Sequence, residues 1–80
     1  MSRQHHYLKT ETEYYQAVEC GTKKFELRKN DRNFKAYDIV CLIETVNGIQ
    51  TGRQLSSLEI QYVLPGGKHG LDPDYCIFGW

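Results

Sequence analysis

Residues 38–49 have the sequence DIVCLIETVNGI, which is the clearest fold signal in the chain. Its first seven residues contain an unbroken apolar run of five, at 39–43, which is typical of a strand that is covered on both faces. Asn47-Gly48 follows, and this dipeptide favours the tight type I′ turn of a β-hairpin. We therefore predict a central strand, a tight turn and a return strand that begins near Ile49.

Shorter patterned segments on both sides of this hairpin predict further strands. The segments 6–9 and 75–80 are apolar enough for a first and a last strand, and residues 58–64 alternate between apolar and polar side chains. Residues 24–28 alternate as well. As a strand, this segment sends Phe25 and Leu27 to one face and its three charged residues, Lys24, Glu26 and Arg28, to the other.

One helix is predicted, at residues 11–20. Thr10 and Glu13 have the spacing of a capping box, and Gly21 is suited to end the helix in the left-handed conformation. The apolar side chains of this helix fall at helical spacing and predict one buried stripe. The stripe consists of Tyr14, Tyr15, Ala17 and Val18.

The sequence therefore predicts a single domain over residues 1–80 of the α+β class that is mainly β. A chain of 80 residues can bury one compact core and no more. Five or six mostly antiparallel strands with one N-terminal helix favour a small barrel with the helix at one end. Closing the sheet would also remove exposed strand edges.

Charge is distributed unevenly along a chain whose net charge is zero. Residues 23–35 contain two acidic residues and six of the ten basic ones, so this segment is +4 and the remainder −4; the basic ones are Lys23, Lys24, Arg28, Lys29, Arg32 and Lys35. A local cluster of this kind indicates either a specific anion site or a solvated loop. Broad non-specific coating of nucleic acid usually requires a high overall isoelectric point, so we exclude it.

The cysteines, histidines and apolar runs indicate a cytoplasmic protein without membrane contact, metal or cofactor. No apolar run approaches the ~20 residues of a membrane helix, and the first residues lack the apolar stretch of a secretory signal. Cys20, Cys41 and Cys76 are odd in number and widely spaced, which argues against a disulfide framework. The adjacent His5 and His6 would point to opposite faces of a strand and could not share a metal ion.

Residues 21–28, GTKKFELR, have the form G-x-K-x-x-E-x-R at the predicted junction of helix and strand. This string resembles the signature of the ASCH family, a branch of the PUA-like superfamily. The longer string FELRKNDR at 25–32 resembles a small stand-alone bacterial and phage branch of unknown function within that family. Tyr37-Asp38 departs from the branch, which has Gly-Asp there.

The resemblance implies a PUA-like pseudo-barrel with a cleft floored by the signature residues, and RNA or a nucleoside-like molecule as the ligand. The residues support such a site independently. Glu26 and Arg28 share a strand face, where Arg28 offers a planar donor fork and Glu26 an acceptor, and Lys23 adds a cation. The alternative is a functionally silent surface ion pair. Further candidate ligand contacts are Lys29, Arg32, Tyr37, Lys9 and His6.

Three functions remain open from the sequence. The first is a binding module for RNA or a modified nucleotide. The second is a small amidohydrolase that acts on an acylated nucleoside, because related ASCH proteins resemble an acetylcytidine amidohydrolase. In that enzyme a Thr nucleophile stands where this chain has Glu26, so the catalytic candidates here are Lys23 and Glu26, with Glu26 as a general base. The third is a protein-interaction module that uses the acidic helix face or the basic loop.

Overall fold

The order of elements is that of a mainly β domain with one short helix near its start. The structure is a computed structural model that describes residues 3–80. Within these residues it contains β1 (His5–Glu11), α1 (Thr12–Glu19), β2 (Phe25–Lys29), β3 (Ile39–Val46), β4 (Ile49–Glu59), β5 (Tyr62–Pro65) and β6 (Tyr75–Gly79). The prediction of a mainly β chain with five or six strands and one N-terminal helix is confirmed, and the number of strands is six.

The strands form two three-stranded sheets. The first has the order β1-β3-β4, with β1 parallel and β4 antiparallel to β3. The second has the order β2-β6-β5 and is antiparallel throughout. The sheets are not joined into a closed barrel, so the expected closure is absent. Among the described residues, the outer strands of the first sheet, β1 and β4, do not pair with the outer strands of the second, β2 and β5, so all four remain edge strands.

The predicted hairpin is confirmed. Val46 pairs with Ile49, and Asn47 and Gly48 have φ values of 51° and 80°. A type I′ turn requires positive φ at both of these positions, which Asn and Gly adopt most readily. The hairpin makes β3 the central strand of its sheet, with buried residues on both of its faces, as the apolar run predicted.

The strand predicted at 58–64 is divided between two strands. β4 ends at Glu59 and β5 begins at Tyr62. Between them, the N–H of fully buried Ile60 donates to the carbonyl of Asp38, whereas the N–H of Gln61 donates to the carbonyl of Gly79 in β6. The chain therefore crosses from one sheet to the other at this point, and the local alternation of side chains does not reveal the crossing.

The helix begins one residue later than predicted, and the predicted capping box is wrong. Thr10 lies in β1, where its hydroxyl donates to the carbonyl of Leu8, and the N-cap residue Glu11 makes no side-chain capping bond. The cause is the pairing of β1 with β3, which continues through Glu11. The predicted left-handed conformation of Gly21 is confirmed by its φ of 85°, although the helix ends at Glu19, one residue earlier than predicted.

The hydrophobic core lies between the two sheets and α1. Tyr15 and Val18 are the buried residues of the helix, whereas the side chain of Tyr14 is half exposed. The predicted helical stripe is therefore narrower than expected. The core consists of Leu8, Tyr15, Val18, Phe34, Val40, Leu42, Ile60, Cys76 and Phe78.

A buried carboxylate fastens the loop before β3 to the start of β1. Asp38 accepts hydrogen bonds from the backbone N–H groups of Gln4 and Lys35, at 3.2 and 3.1 Å, and lies 3.0 Å from the Nε2 atom of His6. The His6 ring packs against Phe34. Burial would raise the pKa of Asp38, but these hydrogen bonds outweigh it and hold the pKa below its usual value.

We expect Asp38→Asn to lower the free energy of unfolding by about 1–3 kcal/mol at neutral pH, because a charged acceptor of three hydrogen bonds is lost. The pKa of Asp38 is lower in the folded state than in the unfolded state. The Asp38 charge therefore contributes fully to the free energy of unfolding above the unfolded pKa of ~3.9, and this contribution is lost as the pH falls through the folded pKa. When urea unfolding is measured from neutral pH to about pH 2, the free energies of unfolding of the wild type and of Asp38→Asn should therefore converge.

Asp31→Asn is the matched control, because the carboxylate of Asp31 is exposed. It should change the free energy of unfolding by no more than about 0.5 kcal/mol. A difference between wild type and Asp38→Asn that stays constant down to about pH 2 would contradict the role of the Asp38 charge.

Candidate functional site

A cleft of about 530 Å³ opens between β1 of the first sheet and β2 of the second. Both strands are edges of their sheets, so their outer backbone groups face the cleft and not another strand. The N-terminal part of α1 adds Tyr14 to the lining. The full lining consists of Lys9, Thr10, Glu11, Tyr14, Lys23, Phe25, Glu26, Leu27 and Arg28.

Glu26 is buried at the floor of this cleft and is paired with two cations. Its Oε1 accepts from the Nζ of Lys23 at 2.6 Å, and its Oε2 accepts from the Nε of Arg28 at 2.9 Å. The residue is 3% exposed, whereas Phe25 and Leu27 are 50% and 52% exposed. The alternation predicted for this strand is confirmed, but its polar face turns inward, because the two cations neutralise the carboxylate.

Arg28 connects the two sheets. Its Nη2 donates to the carbonyl of Lys9 and to the hydroxyl of Thr10, both at 3.0 Å. Arg32 makes a similar bond further along the same edge, from Nη1 to the carbonyl of Tyr7 at 2.8 Å. Guanidinium groups therefore satisfy carbonyls of β1 that a neighbouring strand would otherwise bind.

The cleft presents hydrogen-bond donors with a net positive charge. Within residues 3–80, the hydrogen bonds of Arg28 use Nε and Nη2, which leaves the two N–H groups of Nη1 without a partner. Lys23 uses one of its three donors on Glu26. Its Nζ also lies 5.0 Å from the ring centre of Phe25 and 5.7 Å from that of Tyr14. Two aromatic rings therefore flank the Lys23 ammonium group.

The predicted ligand contacts divide into two groups. Lys9, Lys23, Glu26 and Arg28 line the cleft together. The other four lie outside its lining: His6 is buried against Asp38, Lys29 is exposed at the end of β2, Arg32 binds the backbone of β1, and Tyr37 is exposed at the turn before β3.

Sequence reasoning missed several residues that line the cleft, notably Thr10, Glu11 and Tyr14. Thr10 and Tyr14 had been assigned to a helix cap and to the buried stripe of α1. One signal was available for Tyr14. Adjacent residues of a helix point about 100° apart, so a single narrow stripe does not bury both Tyr14 and Tyr15.

Comparison with known proteins places the chain in a family. Residues 5–80 match the model of a family described as a domain of unknown function, DUF3850. The chain belongs to this family. A protein of Escherichia phage P2, described as an uncharacterized 12.9 kDa protein in the GpA 3′ region, is 38% identical over 52 residues. That alignment covers 65% of this chain and 48% of the phage protein, so this DUF3850 chain matches about half of that relative's length.

The described part of the DUF3850 chain contains neither a helix that could span a membrane nor a cluster of metal-ligating side chains. Its helix is neither long nor apolar enough to cross a bilayer. Residues 3–80 bring together no group of three or more His, Cys, Asp or Glu side chains that could hold a metal ion.

We expect Glu26→Ala to lower the free energy of unfolding by about 3 kcal/mol, because it leaves Lys23 and Arg28 partly buried without their counterion. The value lies at the lower end of the ~3–5 kcal/mol range for a broken buried pair, because these cations retain 18% and 26% of their side-chain exposure. Urea unfolding at neutral pH measures the change.

Glu13→Ala provides the control, because Glu13 is an exposed carboxylate in the first turn of α1. Its loss should cost only about 0.3–1 kcal/mol through the helix dipole. If Glu26→Ala unfolds at the same urea concentration as Glu13→Ala, the ion cluster formed by Lys23, Glu26 and Arg28 does not hold the sheets together.

Proposed function

We propose that this domain binds RNA or a nucleoside-like ligand, such as a modified nucleotide, in the cleft floored by Lys23, Glu26 and Arg28. The observation that carries the proposal is that buried Glu26 holds two cations side by side while donors of both remain without a partner among residues 3–80. Phosphate oxygens accept hydrogen bonds from ammonium and guanidinium groups of this kind.

The aromatic lining of the cleft suits a nucleobase. The ring centres of Tyr14 and Phe25 lie 5.7 and 5.0 Å from the Lys23 ammonium group, and both residues are half exposed. Unstacked bases bind proteins by stacking on aromatic rings or on guanidinium planes. A volume of about 530 Å³ is also within the range of sites for small organic ligands.

The resemblance of residues 21–28 to the ASCH signature supports the same proposal. That resemblance implies a cleft floored by the Lys, Glu and Arg of the signature, and the corresponding residues here line a single cleft. We therefore propose that this domain is related to ASCH proteins. We also propose a cytoplasmic location, because Cys20, Cys41 and Cys76 are free thiols.

Hydrolysis of an acylated nucleoside is the less favoured function. A general base needs a free acceptor within reach of the attacking water. Both oxygens of Glu26 already accept a hydrogen bond from a cation, so water would have to compete with Lys23 and Arg28. The pairing supports a positioning role for Glu26, which orients the two cations that contact the ligand.

We expect Arg28→Ala to weaken the binding of a nucleoside 5′-monophosphate by about 10- to 100-fold, because a charged hydrogen-bond donor is lost. Arg28→Lys keeps the charge but loses the planar fork, and it should also weaken binding. Isothermal titration calorimetry at fixed salt measures both variants after their folding has been checked by thermal unfolding.

Arg3→Ala is the matched control, because Arg3 pairs with Glu59 outside the cleft and its loss changes the net charge equally. It should bind like the wild type. Equal weakening by Arg3→Ala and Arg28→Ala would mean that general charge, and not the cleft, governs binding.

We expect Glu26→Gln to reduce affinity modestly, and the wild type to release no product from acylated nucleosides. The Gln side chain keeps one acceptor oxygen but holds the two cations less firmly, so a loss of about 1–3 kcal/mol in binding is expected. Chromatography of incubated acylated and free nucleosides detects turnover. Deacylation by the wild type that Glu26→Gln abolishes would establish the hydrolase and overturn the binding proposal.

A further inference from the structure

The outer face of the second sheet, called here the aromatic face, is apolar and uncovered within residues 3–80. Strand alternation turns Glu26, Cys76 and Phe78 inward, where they are buried. The opposite side chains point outward, and Tyr62 is 69% exposed. The aromatic face consists of Phe25 and Leu27 from β2, Tyr75, Ile77 and Gly79 from β6, and Tyr62 and Leu64 from β5, with Lys29 of β2 at its edge beside Tyr75.

The strand register places two aromatic rings on either side of a glycine. Gly79 pairs with Phe25 on one side and with Tyr62 on the other. Because neighbouring strands lie about 4.8 Å apart, the two aromatic residues are separated by about 10 Å. Gly79 contributes no side chain between them, so a flat ligand can reach both rings.

The aromatic face is too small to hold a second copy of the chain by itself. Three strands of four or five residues cover about 14 by 16 Å, which is roughly 230 Å². A stable protein–protein interface needs about 800 Å² on each partner. Two or three stacked nucleobases, in contrast, require only a few exposed rings.

The aromatic face is also continuous with the cationic cleft. Phe25 and Leu27 belong to both surfaces, and the Lys23 ammonium group lies over the Phe25 ring. The opposite end of the face carries charges of both signs, because Lys29 of β2 pairs with Tyr75 and Asp74 directly precedes Tyr75. Phe25 lines the cleft and lies in register with Tyr62 across Gly79, so a negatively charged strand that leaves the cleft would run from Phe25 towards Tyr62.

From these observations we infer that the aromatic face binds single-stranded RNA, with successive bases stacked on Phe25 and Tyr62 while a phosphate lies in the cleft. This inference rests on the proposed function and adds a second contact region to it. Stacking on exposed rings depends weakly on sequence, so the ligand class is a short unpaired segment of RNA rather than a duplex.

The test compares the lengths of the ligand and variants of Tyr62, which does not line the cleft. Fluorescence anisotropy follows the binding of labelled oligouridylates of increasing length, from a single nucleotide upward, at fixed salt. Affinity should rise over the first few nucleotides and then level off. Tyr62→Ala should weaken the binding of a short oligonucleotide by about 5- to 150-fold and leave that of the mononucleotide unchanged.

Two control variants separate stacking from other effects. Tyr62→Phe keeps the ring and should bind like the wild type. Ile49→Ala removes another highly exposed apolar side chain, at the hairpin of the first sheet, and should have no effect on either ligand.

Three outcomes of this test would contradict the inference, and they differ in what they imply for the proposed function. If the mononucleotide binds but added length and Tyr62→Ala change nothing, the inference is wrong and the proposed function stands. If no nucleotide or RNA binds at all, both are wrong. If sedimentation shows a wild-type dimer that Tyr62→Ala dissociates, a second copy covers the aromatic face and the inference is overturned.

Discussion

The buried carboxylate of Glu26 determines both how the two sheets meet and what the cleft presents to a ligand. A carboxylate at 3% exposure is costly unless it is paired and hydrogen-bonded. Lys23 and Arg28 provide that pairing from the same segment of chain, and Arg28 then reaches the backbone of β1. A single cluster thus neutralises the buried charge, joins two elements that share no strand pairing, and leaves cationic donors at the cleft floor.

The open edges of the sheets explain why a cleft exists at all. An unpaired strand edge is a template for aggregation, and proteins usually cover or close it. In this fold the carbonyls of Tyr7 and Lys9 on the edge of β1 are bound by Arg32 and Arg28. A backbone ladder between β1 and β2 would have joined the two sheets along this edge and occupied the same space. Side chains protect the edge instead, so the sheets can remain apart and the space between them is accessible to a ligand.

Local signals in the sequence predicted the parts of the structure that depend on local interactions. The turn at Asn47-Gly48 was predicted because positive φ at two successive residues depends on those residues themselves. The start of α1 was not, because the pairing of β1 with a distant strand overrode the capping pattern at Thr10. The change of sheet at Ile60 and the position of Tyr14 in the cleft likewise depend on contacts between segments far apart in sequence. The Lys, Glu and Arg of the cleft were accessible to prediction because their spacing along one short segment places them together.

The dual role of the ion cluster can be observed at the Arg28 side chain by NMR. In the free protein, the Nε–H signal of Arg28 should be protected from exchange with water, because this group donates to Glu26 at the cleft floor. Addition of a nucleoside 5′-monophosphate should shift the Arg28 signal together with the backbone amides of Lys9, Thr10 and Lys23, while the protection of Nε–H persists. An unprotected Arg28 signal in the free protein, or a ligand that shifts residues elsewhere and leaves Arg28 unchanged, would contradict the role assigned to the cluster.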